Sequence, residues 1–182
     1  MKAIVAALGS VLLLSGCGPA SESSAGEPGP SPTTHEVDGY PVTVPPRPGF
    51  VPPQPYPAEP GFENVWYGSP ELWTSLDRDG AVWRDLPIGK GPHAIGDKTF
   101  WFSESFSTAD GEDFSGDDDI TLTAVDLDGS ARTVVEEGGA ASFHEDIKNF
   151  ILVGLGLPEP GCWEVTATYK GDELSYVLYV EA

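Results

Sequence analysis

The stretch Gly161-Cys162-Trp163-Glu164-Val165-Thr166-Ala167-Thr168-Tyr169-Lys170-Gly171-Asp172-Glu173-Leu174-Ser175-Tyr176-Val177-Leu178-Tyr179-Val180 decides the fold. Two runs rich in aromatic and β-branched residues flank Gly171-Asp172, a pattern that predicts a β-hairpin with a tight primed turn. A loop at those two residues sets Lys170 opposite Glu173, Tyr169 opposite Leu174, Ala167 opposite Tyr176, Val165 opposite Leu178 and Trp163 opposite Val180. Side chains alternate with a period of two, so the apolar partners share one face. Glu164, Thr166, Thr168 and Ser175 collect on the other. A lone hairpin is marginal in water, so a second sheet is expected to cover the apolar face.

Working outward, the chain reads as many short strands punctuated by Gly, Pro and Asp. Asn64 to Leu76 is aromatic and broken by Gly68 and Pro70. Asp77-Arg78-Asp79-Gly80 is a turn before Ala81-Val82-Trp83, which predicts another hairpin. Ile88 to Lys98 reads as loop, Thr99 to Ser103 as a short strand, Ile120 to Val125 as an alternating strand, and Arg132 to Val135 as a further one. Ser142-Phe143-His144-Glu145 fits a capping box ahead of a helical turn, although Phe150-Ile151-Leu152-Val153 equally reads as a strand. No long helical period appears after the N-terminal apolar run. The fold class is therefore all-β, an antiparallel β-sandwich spanning residues 62–182. Pro160 to Ala167, with the closing aromatic strand, resembles the last two strands of an immunoglobulin-like domain, which implies an immunoglobulin-like sandwich.

The first sixteen residues are of another kind. Met1-Lys2 is positive, and Ala3 to Leu14 is an apolar run too short to span a bilayer. Leu14-Ser15-Gly16-Cys17 follows and resembles the lipobox of bacterial lipoprotein signal peptides. That resemblance implies cleavage after residue 16, acylation of the Cys17 thiol, and export to the bacterial cell membrane, where the acyl chains anchor the protein. Residues 17–61 hold most of the prolines, thirteen of 18, and read as a disordered tether biased toward polyproline II. Val42-Thr43-Val44 is expected to touch the domain edge only transiently.

The C-terminal hairpin is also similar to a group of uncharacterised bacterial exported proteins and lipoproteins. These join a Trp-x-Gly…Leu-Trp segment to a terminal Gly-Cys-Trp-Glu-Val-Thr strand. The matching pieces are Trp66-Tyr67-Gly68, Leu72-Trp73 and Gly161 to Thr166. The resemblance implies fold and location, and it carries no chemistry with it.

Composition narrows the partners. The formal net charge is -20, from 9 basic and 29 acidic residues, so nucleic acid and anionic headgroups are repelled. Asp110, Glu112, Asp113, Asp117, Asp118 and Asp119 form an acidic loop. It is read first as a solvated loop and alternatively as a Ca²⁺ site, the only cofactor the sequence suggests. Cys162 is left without an intramolecular partner if Cys17 is acylated, and reads as a small packed side chain. His93 and His144 stand alone. Trp66, Trp73 and Trp83 are dense enough to form a stacking surface for a ligand, although core packing is the simpler reading. No nucleophile elbow, phosphate-binding glycine loop or zinc-binding helix is present, so a hydrolase has no visible constellation. The function expected is a membrane-anchored, non-catalytic interaction or envelope-structural module with a protein or glycan partner. The alternative is a lipoprotein that binds a carbohydrate, a peptide or Ca²⁺.

Overall fold

The computed structural model describes residues 33–37, 39–61, 63–106, 120–130 and 132–181. The strands are β1 Thr33–Val37, β2 Tyr40–Val44, β3 Asn64–Gly68, β4 Trp73–Asp77, β5 Val82–Trp83, β6 Ile95–Phe102, β7 Thr121–Asp126, β8 Thr133–Glu137, β9 Ala140–His144, β10 Lys148–Leu157, β11 Gly161–Tyr169 and β12 Asp172–Val180. One sheet runs β3-β4-β6-β10-β9 and the other β5-β12-β11-β7-β8, with β1-β2 as a separate hairpin. The two five-stranded sheets pack face to face around one apolar cluster that includes Trp101, Ile151, Leu155, Leu122, Trp163, Val165, Tyr176 and Leu178. The architecture is an all-β sandwich.

The C-terminal hairpin forms, with its turn one residue earlier than expected. Tyr169 pairs with Asp172, so the loop is Lys170-Gly171, and both residues have positive φ, 50° and 93°. A primed turn needs that backbone, and the glycine supplies it without steric cost. Trp163 consequently faces Leu178 rather than Val180, and Glu173 faces Thr168 rather than Lys170. Each partner moves by two residues, which preserves parity and leaves the same side chains pointing inward. The observed register also sets Thr166 opposite Ser175, with their hydroxyls 2.7 Å apart on the solvent face. The expected register would have given Thr166 an apolar partner, Val177.

Three other local expectations are corrected. Asp77 to Gly80 does not close a hairpin. It carries the chain from the first sheet to the second, where β5 pairs in parallel with β12, Val82 beside Tyr179 and Trp83 beside Val180. Gly80 permits the crossing because its φ is 134° and Val42 Cγ1 lies 3.1 Å from where a Cβ would stand. The 88–98 loop ends early, because β6 begins at Ile95 to match Leu157 of β10. The capping-box segment is β9, paired with β10 from His144 against Lys148. Alternating burial along β10 outweighs the local helical signal. Ile151, Val153, Leu155 and Leu157 all point between the sheets.

The packed body extends N-terminally beyond the expected boundary at residue 62. β2 lies on the outer face of the second sheet. There Thr43 Oγ1 accepts from the Val177 amide at 2.8 Å, and Tyr40 stacks on Tyr179 with centroids 5.2 Å apart. Residues 50–57 then cross the outer face of the first sheet and seal a second aromatic cluster of Tyr56, Trp66, Trp73, Phe102 and Phe150. Tyr56 sits edge-on to Trp73 at 5.1 Å, and the Trp66 indole donates to the Pro57 carbonyl at 2.9 Å. Residues 40–61 are thus a strap rather than a tether. Tyr40, Phe50 and Tyr56 pack on aromatic rings of the two sheets, which provides apolar burial that the proline-rich composition does not signal.

If the strap is structural, Tyr56→Ala should cost about 3 kcal/mol in denaturant unfolding. Val51→Ala, in the same strap at 66% exposure, should stay within about 0.5 kcal/mol. A strap that only grazed the sheet would give both variants the same small effect.

Candidate functional site

The change of sheets after Asp77 leaves a gap. β4 shares only two ladder positions with β6, Trp73 with Phe102 and Thr74 with Trp101. Beyond them β4 stays with β3 while β6 stays with β10. The facing edges separate around a recess of about 260 Å³ that reaches from the first sheet down to Tyr176 and Leu178 of the second. Asn64, Asp77, Asp97, Lys98 and Trp83 stand around it. Asn64 and Asp77 are direct cross-strand partners, which puts both side chains on one face.

The recess is polar at its wall and apolar at its floor. Asp77 Oδ1 accepts from the Asp79 amide at 2.8 Å, and Asp97 Oδ1 from the Lys98 amide at 2.7 Å. Among the described residues, the second oxygen of each carboxylate, the Asn64 carboxamide and the Lys98 ammonium have no protein partner. Trp83 is half-buried beside them, while Tyr176 and Leu178 are buried. Such a wall can donate to and accept from a ligand's hydroxyl or amide groups. Thr74, Ser75 and Thr99 line it as well, and the Thr74 and Thr99 hydroxyls donate to the Phe100 and Val153 carbonyls at 2.7 and 2.9 Å.

The sequence-predicted residues separate into three groups. Cys17 and the acidic set Asp110, Glu112, Asp113, Asp117, Asp118 and Asp119 lie outside the described residues. Trp66 and Trp73 are 1% and 0% exposed and belong to the second aromatic cluster, so neither offers a ring face to a ligand. They are core residues because the strap covers them. Trp83 alone of the three borders an open recess. His93 Nδ1 lies 3.1 Å from Glu136 Oε1, and His144 Nδ1 lies 3.7 Å from Asp146 Oδ2, so the histidines keep separate partners. Among the described residues, no three His, Cys, Asp or Glu side chains are grouped to hold a metal ion.

Cys162 is buried, a free thiol among the described residues. Its Sγ donates to the Pro41 carbonyl at 3.4 Å, and its amide donates to Asp128 Oδ2 at 3.0 Å. Burial pushes the thiol up to about 11, and the neighbouring Asp128 and Asp126 carboxylates push the same way. A thiolate is therefore disfavoured where β2 covers it.

Asn64, Asp77, Asp97 and Lys98 carried no motif in the sequence. They were spread over a strand, a turn and a loop, and only the sheet crossing brings them together. The one signal was the Asp77-to-Gly80 turn, which reads as a hairpin until the pairing of β5 is known. No family model matches the chain, and neither a curated protein nor a solved structure does.

Native Cys162 should resist a thiol reagent at neutral pH and react at the rate of a free thiol once unfolded. The Cys162 thiol and the Tyr67 phenol, the latter pushed by burial up to about 12, hold their protons more tightly folded than unfolded. Their stabilisation is complete below the thiol's ordinary 9.0 and is lost as pH rises through about 11 and about 12. Denaturation midpoints followed across that range should fall. Cys162→Ala should remove the earlier part of the decline.

Proposed function

We propose that this chain is a bacterial lipoprotein, anchored through acylated Cys17, whose sandwich is an immunoglobulin-like, non-catalytic binding module held close to the membrane. The strand order supports the immunoglobulin-like reading. β4-β6-β10-β9 faces β12-β11-β7-β8, the arrangement of the ABED and GFC sheets with one added strand. The observation that carries the functional reading is the recess. It gathers partnerless hydrogen-bonding groups and one half-exposed tryptophan, while the strongest nucleophile of the body, Cys162, is sealed under β2.

The strap changes the geometry of presentation. With β1 starting at Thr33, only residues 18–32 separate Cys17 from the described body. At about 3.1 Å per residue that is a reach of at most roughly 50 Å, so the module works near the bilayer rather than at the end of a long stalk. Its partner is then another envelope component, protein or glycan. A small-ligand function is the second reading, favoured by the depth of the recess.

The anchor is testable directly. Mass spectrometry of the mature protein should find an acylated cysteine at its N-terminus. Cys17→Ala should move the protein from the membrane to the aqueous fraction with the sandwich still folded. Recovery of unmodified residue 17 from the native protein would overturn the reading.

A further inference from the structure

We infer that the recess between β4 and β6 is a binding site for a neutral sugar ring, one residue of a glycan; the inference rests on the reading of the sandwich as a binding module and names its ligand class. Size comes first. About 260 Å³ lies just under the roughly 300 Å³ at which drug-sized sites begin, which is room for a single ring.

Polarity comes second. A sugar hydroxyl both donates and accepts, and the wall offers both functions. The second oxygens of Asp77 and Asp97 accept, the Lys98 ammonium donates, and the Asn64 carboxamide does either. Asn64 and Asp77 are partly buried and Asp97 and Lys98 exposed, and a ligand that pairs with several of them at once gains most. β4 after Thr74 and β6 before Trp101 border the recess with no ladder between them, and the Phe100 carbonyl is taken by the Thr74 hydroxyl at 2.7 Å.

The apolar surfaces fit the other half of a pyranose. Trp83 presents an aromatic side chain at the mouth, and Tyr176 and Leu178 form the floor. A ring with hydroxyls around its rim and C–H groups on its face matches a wall that is polar above and apolar below. Charge removes the competitors. Two carboxylates against one ammonium, on a chain of net charge -20, repel phosphates and acidic sugars. The same ammonium, which has no ion-pair partner among the described residues, disfavours a bare cation there.

The test is a titration of the mature acylated chain in phosphatidylcholine vesicles, read by saturation-transfer NMR and tryptophan fluorescence. The probes are neutral hexoses, N-acetylhexosamines, a uronic acid, a simple alkylammonium ion and a short neutral peptide. Saturable binding of a neutral sugar is expected, with Trp83→Ala and Asp97→Asn each weakening it by about tenfold. Asp97 is exposed, so its variant should keep the wild-type melting temperature and stay informative even if Trp83→Ala unfolds. Three results overturn the inference: no saturation by any neutral sugar in the millimolar range, binding unchanged in Asp97→Asn, or preference for the alkylammonium ion or the peptide. The last would leave the binding-module reading standing with another ligand class. The state of Cys17, read separately by mass, would decide the anchor whatever the sugars do.

Discussion

The chain must leave one sheet and join the other within the four residues between Asp77 and Val82, and most of the structure answers to that crossing. It lets β5 cover the edge of β12, where Val82 pairs with Tyr179 and Trp83 with Val180. A two-residue strand on that edge offers little to a foreign strand, which protects the sheet from edge-to-edge association. The same crossing pulls β4 away from β6 and opens the recess. Closure of the sandwich on one side and the gap on the other are two results of one topological step.

The crossing is itself held by the N-terminal strap. The Ala81 amide donates to the Thr43 carbonyl at 2.9 Å, and the exposed Arg47 guanidinium reaches Asp79 at 3.2 Å. Val42 packs against Gly80, and residues 50–57 close the aromatic cluster on the opposite face. The strap therefore touches both outer faces and the link between them. Without it, Trp66, Trp73, Phe102 and Phe150 would form an apolar patch on the outside of the first sheet, a surface that soluble domains rarely leave uncovered. The proline-rich segment and the aromatic sheet complete one another, and neither is a finished surface alone.

Among the described residues, the thiol, Cys162, is packed away at β11, under β2, with carboxylates nearby that disfavour its thiolate. Asn64, Asp77, Asp97 and Lys98 stand around the gap. Hydrogen-bonding side chains and one half-buried tryptophan thus border the same recess.

The sequence by itself determined the strand content, the inward face of the C-terminal hairpin and the alternation of Thr121 to Val125. Those depend on period-two patterns that are local to each strand. It also carried the lipobox resemblance at Cys17, which is a matter of neighbouring residues. Only the tertiary structure decided that Trp66 and Trp73 are core, that residues 40–61 are a strap, and that Asn64, Asp77, Asp97 and Lys98 share a recess. Burial of a ring depends on what covers it, and what covers these rings lies about ten to fifty residues away in the chain, beyond the reach of any local pattern. The one-residue shift of the hairpin turn has the same origin. Both registers present the same apolar face, and the choice between them falls to the backbone preference at Lys170-Gly171 and the hydroxyl pair of Thr166 and Ser175.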